Sequence, residues 1–223
     1  MPVIPAATTR KVLVAWAVLI AAGFLAAEGL TAWLARHGQI LRANDYRTYL
    51  GFAADFVEKN DFPRALAQTE EAKRKARHEP APYEVAGDIH YRLKQWDKAI
   101  VEYDRAFARN SSAAGPRLNK VWALIELGRN DEAAAFGRQA MDEGYRSPAM
   151  ARFVAEACFR AGKHAEAIPY YEEALQGYPN DLYLLEHLRQ CFAATGRPDR
   201  AREMSDRIAD VEASINRIAA SGS

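Results

Sequence analysis

Residues 96–106 read WDKAIVEYDRA and residues 164–174 read HAEAIPYYEEA, so nearly the same stretch occurs twice, 68 residues apart. A weaker copy, RNDEAAAFGRQA at residues 129–140, lies between them. Internal repetition with a period of about 20 to 50 residues is typical of repeat architectures. Aligning the shared alanines gives a column in which every interval is 34 residues: Ala65, Ala99, Ala133, Ala167 and Ala201.

The 34-residue period divides the chain into five blocks without insertion or deletion. Their bounds are 46–79, 80–113, 114–147, 148–181 and 182–215. Small residues recur at block position 20 in all five, at position 27 in four and at position 8 in three. The last two columns are Ala72, Ala106, Ala140 and Ala174, and Ala53, Gly87 and Ala155. A small residue at a helix crossing lets two helices approach closely, so each block is predicted to be a pair of packed helices.

Glycine and proline mark the helix ends inside the blocks. Gly128, Gly162 and Gly196 all stand at block position 15, where a left-handed residue can end one helix. Pro63 and Pro198 stand in the first turn of the predicted second helix, where a missing N–H is tolerated. Each block is therefore predicted to be a helix–turn–helix hairpin whose apolar face is covered only by stacking on its neighbours.

These columns resemble the tetratricopeptide repeat (TPR), which has large residues at positions 4, 11 and 24 and small ones at 8, 20 and 27. The second block fits through Tyr83, Gly87, Ala99, Tyr103 and Ala106. The fourth block fits through Ala155, Ala167, Tyr171, Ala174 and Pro179. The resemblance implies an all-α chain, a right-handed α-solenoid of five tandem TPR hairpins over residues 46–215, with 216–223 as a C-terminal tail.

Three residues depart from the repeat pattern. Arg189 takes the small position 8 of the last block, and Gly137 replaces the aromatic residue at position 24 of the third. Pro169 falls inside the second helix of the fourth block, where we expect it to bend or loosen a turn. The polar second helix of the fifth block is expected to close the stack as a cap.

By the same resemblance, the first helices line a concave groove that binds a protein or peptide partner. The predicted groove residues are Leu50, Val57, Glu84, Asp88, Tyr91, Arg92, Leu118, Trp122, Ile125, Arg152, Glu156, Phe159, Arg160 and Tyr183. Trp122 is the strongest candidate anchor, because tryptophan at a solvent-facing position often dominates the energy of an interface. The alternative for Ile125 and Phe159 is packing between neighbouring blocks.

The N-terminal segment before the repeats is strongly apolar. Residues 12–34, VLVAWAVLIAAGFLAAEGLTAWL, contain a single charge, Glu28. As a helix this segment would be about 34 Å long, enough to cross a hydrocarbon core of about 30 Å. It predicts a transmembrane helix between an N-terminal tail at 1–11 and a connector at 35–45. Gly23, Ala27 and Glu28 are the candidate contacts with a neighbouring membrane helix.

Two properties of this segment stay open. A signal peptide cleaved near Gly23 would instead release a secreted binding module. The side of the membrane is also undecided, because positive charges flank both ends of the segment. The short tail ending in Arg10-Lys11 is typical of a signal-anchor, so we expect an extracytoplasmic, periplasmic repeat domain at a bacterial inner membrane, with the cytoplasmic side as the alternative.

The sequence favours a binding function over catalysis. A formal net charge of +1 gives no support for a nucleic-acid partner. No phosphate-binding glycine loop or nucleophile elbow occurs, and His187, Cys158 and Cys191 do not complete a metal-ligand set, so no enzyme activity, cofactor or metal is expected. We expect a membrane-anchored scaffold or adaptor that supports assembly of a membrane or envelope complex. The alternative is a permanent structural subunit of such a complex.

Overall fold

The computed structural model describes residues 45–221, which contain ten α-helices and no strand. Each of the five predicted blocks holds one helical hairpin, which confirms the predicted all-α repeat. The first helices are α1 (Tyr46–Glu58), α3 (Ala81–Arg92), α5 (Ala114–Glu126), α7 (Pro148–Arg160) and α9 (Leu182–Ala194). The second helices are α2 (Phe62–Lys75), α4 (Trp96–Phe107), α6 (Asn130–Ala140), α8 (His164–Gly177) and α10 (Pro198–Ser221).

Several helices begin at a side chain that caps a free backbone N–H. Asp45 accepts a hydrogen bond from the N–H of Arg47 at the start of α1, and Asp61 accepts one from Arg64 at the start of α2. Ser147 caps α7 in the same way. Such caps satisfy donors that have no partner inside the helix, and so they fix where each helix begins.

The turns between paired helices share one left-handed residue at block position 15. Gly128, Gly162 and Gly196 have φ values of 72°, 73° and 70°, which confirms the predicted role of these glycines. The first two blocks use Asn60 and Lys94 there, at φ values of 56° and 55°. Because a side chain makes this conformation costly, the turn geometry is imposed by the repeat and not by glycine itself.

The alanine columns lie at the tight helix crossings. Position 20 is fully buried in the first four blocks, and position 27 is buried in the same blocks. In the last block Ala201 is only half-buried, because no further hairpin covers that side. The predicted close approach of the helices is therefore confirmed, and the alanine at position 20 is partly exposed only where the stack ends.

Contacts between helices define an inner and an outer row. Each second helix contacts the first helix of its own block and the first helix of the next block, and each first helix also contacts the next first helix. The first helices thus form the more closely spaced row, which lies on the concave side of a curved stack. One cluster of buried hydrophobic side chains joins this stack from Ile100 in block two to Met204 in block five.

The structure differs from the sequence prediction at two places. Helix α8 continues without a break across Pro169, which lies on its exposed face, where water can hydrate the carbonyl that loses its hydrogen bond. Helix α10 continues to Ser221, so residues 216–221 extend the last helix instead of forming a tail.

The predicted tail at 1–11, the predicted transmembrane helix at 12–34 and almost all of the connector lie outside the described residues. The candidate membrane contacts Gly23, Ala27 and Glu28 lie outside them as well. Among residues 45–221, no helix combines the length and the apolar character that a bilayer crossing requires.

Candidate protein-binding groove

The predicted groove residues fall into three classes of exposure along the inner row. Half-buried are Leu50, Val57, Glu84, Asp88, Tyr91, Leu118, Trp122, Arg152 and Phe159. Exposed are Arg92, Arg160 and Tyr183. Buried are Ile125 and Glu156. The first two classes can present side-chain surface to a partner.

Ile125 and Glu156 do not present surface to the groove. Ile125 is 1% exposed and belongs to the hydrophobic cluster that joins blocks three to five, as the alternative interpretation of this residue anticipated. Glu156 is 3% exposed. Neither side chain can contact a partner while the solenoid is folded, so we correct both assignments: they support the groove from beneath.

Trp122 on α5 forms the centre of the inner surface. Its ring lies 5.4 Å from the ring of Phe153 on the next first helix, measured between centroids. The guanidinium of Arg160 lies 5.6 Å from the Trp122 ring, within the range of a cation–π contact. The indole is therefore held from two sides while remaining half-buried.

The buried carboxylate of Glu156 organises the side chains around Trp122. It accepts hydrogen bonds from Arg160 Nε at 2.6 Å, from the Tyr183 hydroxyl at 2.6 Å and from the Tyr171 hydroxyl at 3.2 Å. Burial raises the pKa of Glu156, but the hydrogen bonds from Tyr183 and Arg160 outweigh burial and leave the pKa below its ordinary value. Glu156 thus stays ionised and fixes one arginine and one tyrosine of the groove.

A second aromatic stack continues the inner surface into block five. The ring of Tyr183 stacks on His187 at 4.0 Å, and His187 meets Phe159 edge-on at 4.7 Å. The Arg152 guanidinium lies 5.2 Å from the Tyr183 ring and pairs with Asp181 at 3.5 Å. Burial, with the hydrogen bond to Glu156, raises the pKa of Tyr183 to about 12, so its hydroxyl remains a donor at neutral pH.

Block two has a related but more polar inner surface. Asp88 accepts hydrogen bonds from the Tyr103 hydroxyl at 2.8 Å and from Asn119 Nδ2 at 3.0 Å. The Tyr91 ring packs edge-on against Trp96 at 5.2 Å. Carboxylates thus tie the first helices to the aromatic residues of the second helices in both block two and block four.

We define the aromatic strip as Trp122, Phe153, Phe159, Tyr183 and His187. The sequence-based prediction missed Phe153 and His187, which both stand at block position 6. A signal for them existed, because positions 2, 6, 9 and 13 follow one another at the spacing of a single helix face. The strip offers ring surface suited to the side chains of another polypeptide.

Metal binding was the other possibility that the histidines and cysteines of the repeat region raised. Across residues 45–221 no group of three or more His, Cys, Asp or Glu side chains could hold a metal ion. Cys158 and Cys191 are buried free thiols. Burial, with the neighbouring Cys158, raises the pKa of Cys191 to about 12, which suppresses its thiolate.

The fold and the inner surface define an α-helical repeat protein, a class that serves as a scaffold for protein–protein interaction. Family models of the tetratricopeptide repeat match residues 50–116, 118–181 and 159–219. The chain therefore belongs to the tetratricopeptide repeat family. Comparison with curated proteins finds no significant match.

Solved structures of similar fold include YrrB, MamA and PilF. YrrB, a TPR protein with an unusual peptide-binding site, is 16% identical, with a TM-score of 0.69 over 79% of this chain and 91% of its own. MamA from Desulfovibrio magneticus RS-1 is 14% identical, with a TM-score of 0.69 over 76% and 96%. PilF from Pseudomonas aeruginosa is 17% identical, with a TM-score of 0.61 over 76% and 78%. At these low sequence identities the structural similarity shows a shared fold and nothing about shared function.

Proposed function

We propose that this TPR protein is a membrane-anchored adaptor that holds a protein partner against its aromatic strip. The observation that carries the proposal is Trp122, a half-buried indole on the inner row with Phe153 beside it and Arg160 stacked on it. Large rings held in place on a concave surface lose little conformational freedom on binding, and such residues dominate interface energies.

The proposed anchor is the apolar segment at residues 12–34. Tethering would keep the captured partner close to a membrane complex, so that a later encounter becomes nearly intramolecular. The adaptor would in this way support the assembly or function of a bacterial inner-membrane or envelope complex. We propose a periplasmic repeat domain.

A pull-down of the full chain with a double substitution tests the groove. Trp122→Ala with Tyr91→Ala removes two half-buried rings from the inner row, so we expect at least a tenfold loss of captured partner from native membranes. The matched control is Val101→Ala on α4, which removes an exposed apolar side chain from an outer helix. Circular dichroism confirms that both variants are folded. Capture by the double variant at the level of the control would reject the groove.

Four further measurements test the anchor, the side of the membrane and the type of complex. We expect the protein to resist alkaline carbonate extraction and to retain Met1 or Pro2 as its first residue, whereas a mature N-terminus near Gly23 would mean a secreted module.

A periplasmic reporter fused after Ser223 should be active if the repeat domain is exported. Native mass analysis after detergent extraction should show a separable partner; a fixed stoichiometry that persists would mean a structural subunit.

A further inference from the structure

The arginines beside the aromatic strip are neutralised by carboxylates of the same chain. Arg160 donates to Glu156 through Nε at 2.6 Å, and its Nη1 lies 3.6 Å from Glu126. Arg152 Nη1 lies 3.5 Å from Asp181. These three pairs leave neither guanidinium as an uncompensated positive charge.

The same pairing continues at the block-five end of the strip. Arg189 donates to both carboxylate oxygens of Glu186, at 2.8 Å and 2.6 Å. Around the strip, three arginines (Arg152, Arg160, Arg189) thus face four carboxylates (Glu126, Glu156, Asp181, Glu186), a net charge of 3 − 4 = −1. An acidic partner would meet a slight excess of like charge, so electrostatic attraction does not favour it.

A basic partner is disfavoured for a different reason. The strongest acceptor, Glu156, is 3% exposed and already accepts three hydrogen bonds. The other three carboxylates are each already paired with an arginine, so a new cation would compete with that arginine for the same carboxylate. Breaking a preformed ion pair to make another gives little net gain.

Apart from these charged groups, the strip presents aromatic rings and aliphatic side-chain surface to a partner. Arg160 lies over Trp122 and Arg152 over Tyr183, so the hydrocarbon stems of both arginines extend the apolar surface. Arg152 and Arg160 are eight residues apart on α7, which is about 12 Å along a helix. An extended segment covers that distance with about four residues.

We infer that the partner segment that binds the aromatic strip is uncharged and apolar, a short extended stretch that inserts aliphatic or aromatic side chains, and that its affinity is nearly independent of salt. This inference rests on the proposed groove function and names the chemistry of its partner.

The test uses the full chain in detergent micelles and three fluorescent peptide libraries of twelve residues each. All three libraries carry Leu, Tyr or Trp at every second position. The remaining positions hold Ser and Gly in the first library, Glu in the second and Lys in the third. Binding is measured by anisotropy at 50 and 500 mM NaCl for the wild-type chain, for Trp122→Ala and for the control Val101→Ala. We expect the Ser/Gly library to bind most tightly, to change less than twofold with salt, and to bind Trp122→Ala at least tenfold more weakly.

The outcomes separate this inference from the function on which it rests. If the Glu or the Lys library binds more tightly, depends on Trp122 and weakens more than tenfold at high salt, the groove stands and the uncharged partner is wrong. If no library binds, or if Trp122→Ala binds every library as well as Val101→Ala does, the groove function fails and this inference fails with it.

Discussion

Blocks three and four differ in which helix carries the aromatic residue at block positions 9 and 24. In block four Tyr171 lies on the second helix, opposite Glu156 on the first, as Tyr103 lies opposite Asp88 in block two. In block three the second helix has Gly137 at that position, and the first helix has Trp122 where the other two blocks have a carboxylate.

The space vacated at Gly137 is filled from the first helices. A Cβ added at Gly137 would lie 2.5 Å from Val154 Cγ2 and 3.6 Å from Val121 Cγ2. Val121 stands at the position that is glycine or alanine in blocks one, two and four. The repeat therefore keeps the crossing filled to the same packing density, although different helices supply the side chains. In block three the large ring at this level, Trp122, therefore lies on the first helix and faces the inner surface.

Removal of Glu156, the carboxylate at the position where block three has Trp122, should reduce stability the most. Glu156→Ala leaves the buried Tyr171 hydroxyl without its acceptor and releases Arg160 and Tyr183. We expect the free energy of unfolding to fall by about 2 to 3 kcal/mol. Urea denaturation followed by circular dichroism measures it. A loss below about 0.5 kcal/mol would show that the network does not stabilise block four.

A substitution at Gly87 tests the close contact between this glycine and the Tyr103 ring in block two. Block three lacks this contact because Gly137 stands in place of the tyrosine. Gly87→Ala would place a Cβ 2.5 Å from the Tyr103 ring, which its hydrogen bond to Asp88 holds in place. Overpacking of this kind costs about 1 to 3 kcal/mol. The matched control is Gly51→Ala, which meets nothing within 4 Å on α1. Because alanine favours helix more than glycine, the control should gain about 0.5 to 1 kcal/mol. If thermal unfolding shows that both substitutions change the stability in the same direction, Gly87 does not lie at a tight helix crossing.

A double-mutant cycle tests the exchange of volume in block three. Gly137→Ala alone should lower stability by about 1 to 2 kcal/mol, because the new methyl collides with Val154. Val154→Ala alone should cost a similar amount by leaving a cavity. Together they should be less destabilising than their sum by about 1 kcal/mol, since one change makes room for the other. Strict additivity in urea denaturation would mean that the two residues do not share this space.

A smaller effect concerns the shared turn. Lys94 adopts φ 55° at the position where blocks three, four and five have glycine. Lys94→Gly should stabilise the protein by about 1 kcal/mol, because glycine accepts this backbone conformation without strain. Asn60→Gly should gain less, since asparagine tolerates the left-handed region better than lysine. A loss of thermal stability in Lys94→Gly would contradict this explanation.

A weaker effect is the pH dependence of stability that the Glu156 carboxylate contributes. Block three has Trp122 at the same position and should contribute no such dependence. The folded-state pKa of Glu156 is lowered, so its stabilising contribution is present above the unfolded value of about 4.3 and is lost as pH falls through the folded value. The difference in stability between wild type and Glu156→Gln should therefore shrink as the pH is lowered from 6 to 3. If this stability difference instead grows as the pH falls, the pKa of Glu156 is raised in the folded protein and not lowered.

The sequence predicted the parts of the fold that depend on a repeated residue type. The alanine columns and the glycines at position 15 identify the hairpins, because each column serves the same contact in every block. In the sequence, Gly137 is a departure from the repeat pattern and Trp122 is a candidate groove anchor, and nothing in the pattern links the two. The filling of the Gly137 space depends on Val154 in the next block, which no single column reveals.

The candidate groove was harder to predict for the same physical reason. A helix position gives the direction of a side chain but not its depth, so Ile125 and Glu156 were assigned to the surface although both are buried. Phe153 and His187 were missed, although their spacing places them on the predicted face. Of the three donors to the buried Glu156, only Arg160 is four residues away on the same helix. Tyr171 and Tyr183 lie on two other helices, and the sequence spacing does not show that they meet Glu156.

Site-specific photo-crosslinking in native membranes tests the central claim most directly. A photoreactive residue in place of Leu118, on the inner row beside Trp122, is compared with the same residue in place of Val101 on the outer helix α4. We predict a discrete crosslinked species from position 118 that disappears when Trp122 is replaced by alanine, and none from position 101. Crosslinks from position 101 alone would contradict the account and assign partner binding to the outer surface.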